Sequence, residues 1–139
     1  MTLHATIERA ADGTFGIYLK EELPSNVVIY GAGETEDEAK AFLLDALALA
    51  ADDYREEHAA PAPWEGATLA YRYDITAFFQ AFPFINISEF ARSVGINASL
   101  MRRYKMGVTR PSAAQLQGIQ EALDRLAQKL AMVNVTSHA

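Results

Sequence analysis

The chain of 139 residues contains no cysteine, which excludes disulfide bonds, thiolate zinc sites and a cysteine nucleophile. Its three histidines, His4, His58 and His138, lack the spacing of a metal site. The sequence has no Gly-x-Ser-x-Gly nucleophile motif. Its predicted strands also carry no group of carboxylates suited to catalytic metal ions. We therefore expect no enzymatic activity, no cofactor and no bound metal.

Long uncharged apolar runs are also missing, so we expect no membrane segment. The N-terminus has no basic region followed by an apolar run, which is the pattern of an export signal. Half of the residues are hydrophobic and 22% are charged, a composition typical of folded proteins. These features together predict a folded cytoplasmic protein.

The charge is divided unevenly along the chain. Residues 1–66 contain four Arg and Lys against fourteen Asp and Glu, a net charge of −10. Residues 67–139 contain eight Arg and Lys against four Asp and Glu, a net charge of +4. An acidic half joined to a basic half suggests two partners of opposite charge.

The first half has the pattern of a small sheet covered by one helix. Alternating and β-branched residues predict four strands: Leu3–Arg9, Thr14–Lys20, Val27–Tyr30 and Thr68–Tyr73. The Asp12-Gly13 pair predicts a hairpin turn between the first two. Thr35 and Glu38 form a capping-box pattern that begins a long amphipathic helix. Leu44 and Leu49 lie off its apolar stripe, which fits either a wide buried face or a contact between two copies.

The second half predicts only helices. The first runs over Asp74–Phe82, and a long one begins at Ser112, where Gln115 completes a capping box, and continues to Val133. Residues 134–139 have the composition of a frayed tail.

Between these helices, residues 86–111 predict two short helices joined by a tight turn. Asn86 can cap the first, and Gly95 stands where a left-handed residue ends it. Asn97 can cap the second, Ala98–Met106, and Gly107 can end it. Leu100, Met101 and Tyr104 would face the core.

This segment resembles the helix-turn-helix of the lambda-repressor-like (XRE-type) DNA-binding family. The shared pattern is A-x-x-x-G-I-N-x-S-x-x-x-x-Y-x-x-G-x-x-x-P, covering residues 91–111. The resemblance implies contacts to base edges or phosphates from the second helix and the loop after it. The expected DNA-binding residues are Asn97, Ser99, Arg102, Arg103, Lys105 and Arg110. The plain alternative is a helical hairpin with a charged, solvated face.

The first half is similar to the N-terminal domain of HicB-family antitoxins. The similarity rests on the Asp12-Gly13 hairpin, the Leu23-Pro24 loop and the G-x-T-x-x-E-A motif at 33–39. Many family members have glycine after Leu-Pro, whereas this chain has Ser25. The resemblance implies an α+β protein. Its β-β-β-α-β domain of truncated RNase H-like fold, residues 1–73, would bind a toxin, and a helix-turn-helix domain, residues 74–133, would bind DNA.

A HicB-like antitoxin would neutralise a small basic RNA-cleaving toxin of the HicA type and repress its own operon. The residues that we expect to meet the toxin are Glu21, Glu22, Glu34 and Glu36. We also expect a homodimer or a higher even oligomer, because helix-turn-helix proteins commonly read two half-sites with two copies. Two alternatives remain open at this point. One is a regulator whose first domain senses a small ligand, and the other is an interaction module that has lost DNA binding.

Overall fold

The computed structural model describes residues 1–138 and divides the chain into two compact units. The first spans Met1–Ala81 and the second begins at Phe82. The boundary therefore lies after Ala81, and not after Tyr73 as the sequence suggested. The helix that follows Tyr73 belongs to the first unit because it packs against strands of that unit. Ala139, the last residue of the expected tail, lies outside the described residues.

The first unit contains one four-stranded sheet and two helices. The strands are β1 (Thr2–Arg9), β2 (Phe15–Leu19), β3 (Tyr30–Gly33) and β4 (Thr68–Tyr73). The helices are α1 (Glu36–His58) and α2 (Ile75–Ala81), and a single 3₁₀ turn covers Pro24–Asn26. The strand order is β3-β2-β1-β4, with β1 parallel to β4 and the other two pairs antiparallel. The parallel pair needs a long crossover connection, and α1 lies within it.

One face of the sheet forms the core with α1. Leu3, Ala5 and Ile7 alternate along β1 and are fully buried, as is Ile17 on β2. These side chains pack with Ala39, Leu43 and Leu47 of α1, which recur at every fourth position. Trp64, in the loop before β4, is buried and donates its indole N–H to the Leu47 carbonyl at 3.1 Å. The inward-facing side chains of the strands and the periodic apolar side chains of α1 thus form one apolar layer.

The third strand differs from the prediction. The sequence suggested Val27–Tyr30, but β3 is Tyr30–Gly33, so the expected strand was placed three residues too early. Gly31 pairs with Ile17 and Gly33 with Phe15. The two glycines allow α1 to approach the strand closely, and this tertiary reason outweighs the weak strand preference of glycine.

Helix α1 begins much as the capping-box pattern predicted. The Thr35 hydroxyl accepts the Glu38 N–H at 3.1 Å. The Glu38 carboxylate, however, accepts the N–H of Glu34 and not that of Thr35, at 3.0 Å. Leu44 and Leu49 are 52% and 69% exposed, so the wide buried face that could have accounted for them is not formed within this unit.

The second unit contains three helices. They are α3 (Ile87–Val94), α4 (Ala98–Met106) and α5 (Ala113–Ala131). Phe90, Ala91, Met101, Tyr104 and Ile119 form the buried centre. Helix α5 ends at Ala131, so Val133 lies beyond the helix that was expected to include it.

The sheet of the first unit and the helices of both units give the protein a mixed α+β fold. Within residues 1–138, no helix is both long and apolar enough to cross a bilayer.

Candidate nucleic-acid interface

Helix α3 is capped at both ends, by a side chain at its N-terminus and by backbone bonds at its C-terminus. The Asn86 side chain accepts the Glu89 N–H at 3.0 Å. At the other end, Gly95 adopts φ +82°, a left-handed conformation that L side chains rarely take. Its N–H bonds to the Ala91 carbonyl, and the Ile96 N–H bonds to the same carbonyl at 3.0 Å. Paired bonds of this kind end the helix and turn the chain sharply.

Helix α4 begins directly after this turn. The Asn97 side-chain oxygen Oδ1 accepts the Ser99 N–H at 2.8 Å, so the predicted cap is formed. Met101 and Tyr104, one turn apart, are buried and attach the helix to the core. Leu100, which was expected to face inward with them, is only half-buried. Gly107 ends α4 with φ +75°.

The start of α5 is tied to α4 by a polar contact. Ser112 and Gln115 form the predicted capping box, with the Gln115 N–H donating to the Ser112 hydroxyl at 3.2 Å. The Tyr104 hydroxyl donates to the Gln115 side chain. Because Tyr104 lies on α4, this bond sets the position of α4 relative to the start of α5.

The expected DNA-binding residues lie on α4 and in the loops at its ends. Asn97, Ser99, Arg102, Arg103 and Arg110 are exposed, and Lys105 is half-buried. Arg102 donates to the Ser88 hydroxyl at 3.2 Å, which directs its guanidinium group back toward α3. Ser99 and Arg103, four positions apart, lie on the same side of α4, and Asn97 precedes them as the N-cap.

Several of these basic groups are available for an anionic partner. Residues 82–139 contain seven Arg and Lys against three Asp and Glu, a net charge of +4. Arg92 pairs with Glu89 at 3.0 Å. Among the residues that the structure describes, Arg103, Lys105 and Arg110 form no ion pair. Within residues 1–138, no ion pair therefore neutralises their charge.

The four acidic residues expected to meet a toxin are not equivalent. Glu21 accepts the His4 backbone N–H at 2.8 Å, and its other oxygen lies 2.5 Å from the His4 ring Nδ1. The side-chain bond and the backbone bond from His4 lower the pKa of Glu21 to about 2. Through these bonds, Glu21 connects the segment that follows β2 to strand β1. Its neighbour Glu22 is exposed.

Glu36 is also engaged within its own unit. Its carboxylate accepts the Tyr73 hydroxyl at 2.5 Å and pairs with Lys40 at 2.9 Å. Partial burial acts to raise the pKa of Glu36, but the bonds from Tyr73 and Lys40 outweigh it and lower this pKa. Partial burial and the bond to Glu36 raise the pKa of Tyr73 to about 12. Glu34 is exposed.

The acidic residues do not form one cluster. Glu21 follows the end of β2, whereas Glu34 follows Gly33, which pairs with Phe15 at the start of β2. The length of β2, about 14 Å from Phe15 to Leu19 at 3.4 Å per residue, separates the two positions. The residues expected to meet the toxin are therefore divided between opposite ends of β2.

An exposed aromatic pair was not anticipated from the sequence. Tyr30 on β3 and Phe42 on α1 stack with ring centroids 5.8 Å apart, and they are 49% and 47% exposed. The sequence placed Phe42 within the apolar stripe of α1 that covers the sheet, and its exposure corrects that prediction. The stripe alone gave no reason to remove it from the core.

No protein-family model, curated protein or solved structure matches this chain. Within residues 1–138, no group of three or more His, Asp or Glu side chains is arranged to hold a metal ion.

Proposed function

We propose that this protein is an antitoxin-type repressor of the HicB kind, with one unit for DNA and one for a basic toxin. The observation that carries the proposal is the arrangement of α4. Met101 and Tyr104 anchor one side of the helix in the core, and exposed polar and basic side chains occupy the other. A short helix held in this way after a tight turn is suited to the major groove as the second helix of a helix-turn-helix.

The residues of α4 divide into two roles under this proposal. Asn97 and Ser99, at the N-terminus of the helix, and Arg103, one turn further, would face base edges. Arginine can form two hydrogen bonds with guanine and so discriminate between bases. Lys105 and Arg110 would contact phosphates, which adds affinity without sequence information. Arg102, held toward Ser88, would reach the backbone on the side of α3.

The first unit would bind the toxin. Residues 1–81 contain five Arg and Lys against fifteen Asp and Glu, a net charge of −10. A surface of this charge would be repelled by DNA and would attract a protein whose own surface binds RNA. Such attraction raises the rate of association with a basic partner and disfavours like-charged ones. The negative charge of the first unit therefore supports a HicA-like, RNA-cleaving toxin as the partner.

A dimer would form through the second unit. Beyond Ala122, the apolar residues of α5 are increasingly exposed, with Leu126 at 37% and Leu130 at 61%. Together with Phe84 they line a groove of about 580 Å³. A second copy of this helix would bury the groove, and it would supply the second DNA-reading helix that a two-fold operator requires.

Two measurements on the full chain test the proposal. The chain should co-purify with the basic product of the gene adjacent to its own. It should also retard a duplex from the region upstream of that gene pair more strongly than a shuffled duplex of equal length. Absence of the complex would contradict the antitoxin role, and equal retardation of both duplexes would contradict specific repression.

A further inference from the structure

The hydrogen-bond register of the sheet identifies which backbone groups of β3 face outward. The Lys20 N–H donates to the His4 carbonyl at 2.8 Å, so these opposed residues are a hydrogen-bonded pair of the β1–β2 ladder. Such pairs alternate along an antiparallel ladder. Tyr18 and Gly16 therefore also direct their backbone groups to β1. Phe15 and Ile17, between them, direct theirs to β3.

The partners of these residues on β3 are two glycines. Gly33 is opposite Phe15 and Gly31 is opposite Ile17, so both glycines bond to β2. The N–H and C=O groups of Tyr30 and Ala32 then point away from the sheet. Within residues 1–138 the sheet ends at β3, and no further strand covers this side.

This edge strand is short, at four residues, but two other features that usually protect an edge strand are absent from it. Its sequence, Tyr-Gly-Ala-Gly, has no charged side chain and no proline. Helix α1 packs on the face of β3 and does not cover its edge, since the positions toward which the Cβ atoms of Gly31 and Gly33 would point are occupied by Ala39, Leu43 and Glu38. The exposed rings of Tyr30 and Phe42 lie beside the edge.

The charge around the edge favours one class of partner. Beyond Gly33 the chain continues with four carboxylates in five residues: Glu34, Glu36, Asp37 and Glu38. A second copy would bring its own unit of net charge −10 to this edge, and like charges would oppose the pairing. A strand from a basic protein would meet complementary charge at the same place.

We propose that the free edge of β3 binds an extended strand of the basic toxin by adding it to the sheet. The outward backbone groups of Tyr30 and Ala32 supply the main-chain hydrogen bonds, and the Tyr30–Phe42 pair contacts side chains of the added strand. Main-chain pairing of this kind provides affinity, and the neighbouring side chains provide specificity. This inference rests on the proposed function, because it assigns the surface that the toxin occupies.

A proline at position 32 tests the backbone contribution. Proline is tolerated where an edge-strand N–H faces solvent, so Ala32→Pro removes the outward donor and leaves the bonds of Gly31 and Gly33 to β2 intact. Ala32→Val retains the N–H and is the matched control. Titration calorimetry of the full chain with the purified product of the adjacent gene should give a dissociation constant about 10-fold or more higher for Ala32→Pro. Ala32→Val should bind with the wild-type constant.

A second pair of variants tests the side chains. Phe42→Ala removes the ring beside the edge, whereas Leu44→Ala removes a similarly exposed apolar side chain that lines a cavity with Trp64 instead. Phe42→Ala should weaken binding and Leu44→Ala should not. Equal effects of the two would contradict an edge-centred contact.

Residue-resolved amide exchange of the wild-type complex provides a measurement that needs no variant. The amides of Tyr30 and Ala32 should exchange at least about 10-fold more slowly in the complex than in the free chain. If the wild-type chain does not bind the adjacent gene product, the proposed function fails and this inference fails with it. If it binds while Ala32→Pro binds equally well and neither amide is protected, the edge is not the toxin site, although the antitoxin role stands.

Discussion

Gly31 of β3 lies directly beneath the backbone of Ala39 in α1. A Cβ atom on Gly31 would overlap the Ala39 carbonyl oxygen and lie 3.0 Å from Leu43 Cβ. The obstructing group is the backbone of the helix, which cannot rotate away as a flexible side chain can. The distance between helix and sheet in the first unit is therefore limited by the absence of a side chain at this position.

Gly31→Ala should destabilise the first unit by about 1–3 kcal/mol, the usual range for overpacking a core. Fluorescence of Trp64, the single tryptophan, reports on this unit during denaturant unfolding. Gly118→Ala is the control because the new Cβ would meet Val94 at an ordinary 3.7 Å within helix α5. That change should stabilise the second unit by about 0.5–1 kcal/mol, as measured by helical circular dichroism. Unchanged stability of Gly31→Ala would show that α1 can move off the strand.

Arg103→Ala should weaken operator binding and relax the preference at one base pair, by roughly 1–3 kcal/mol of discrimination. Toxin binding should be unaffected. Lys105→Ala should instead weaken all duplexes alike and reduce the dependence of log K on log salt by about one unit. Fluorescence anisotropy with a set of single-base operator variants distinguishes the two patterns. If Arg103→Ala retains full operator affinity, the DNA-reading side of α4 is wrongly assigned.

Leu130→Asp should convert a dimer to a monomer, because burying a leucine contributes about 1.5–3 kcal/mol and the side chain occurs twice in a symmetric interface. Light scattering at micromolar concentration measures the mass. Gln128→Asp places the same charge on an exposed neighbouring position of α5 and should leave the mass unchanged. A wild-type monomer, or dimeric Leu130→Asp, would contradict pairing through α5.

The contact between His4 and Glu21 should make stability depend on pH in the acid range. The folded-state pKa of Glu21 is about 2, below its ordinary value of 4.5, so the folded protein binds fewer protons there than the unfolded chain. Its contribution is complete above pH 4.5 and is lost as the pH falls toward 2. The stability difference between wild type and Glu21→Gln should shrink over this interval. Glu22→Gln, at the exposed neighbour, should show no such trend, and a constant difference for Glu21→Gln would contradict the contact.

The sequence was most informative about the second unit, where local signals agree with the structure. Helix α3 begins after Asn86 and ends at Gly95, and α4 begins after Asn97 and ends at Gly107, as predicted. Each of these residues acts through bonds to residues at most five positions away. The prediction failed where the cause was distant. β3 begins at Tyr30 rather than Val27 because its glycines accommodate a helix that forms later in the chain.

The same distinction between local and distant causes applies to the candidate site residues. The exposure of Arg103 and Arg110 follows from helical periodicity and local turns, and it could be predicted. The isolation of Glu21 from Glu34 could not, because it depends on the antiparallel pairing of β2 with β3. The bond of Glu21 to His4 likewise joins residues 17 positions apart.

The sequence by itself determined the strand and helix types, the helix caps, the charge of each half and the absence of cysteine chemistry. These depend on single residues or on patterns within about one turn of chain. The tertiary structure alone decided the unit boundary after Ala81, the register of β3 and the outward direction of the backbone groups at Tyr30 and Ala32. Strand pairing brings together residues far apart in the sequence, and a shift of one residue would turn a different set of backbone groups to the edge.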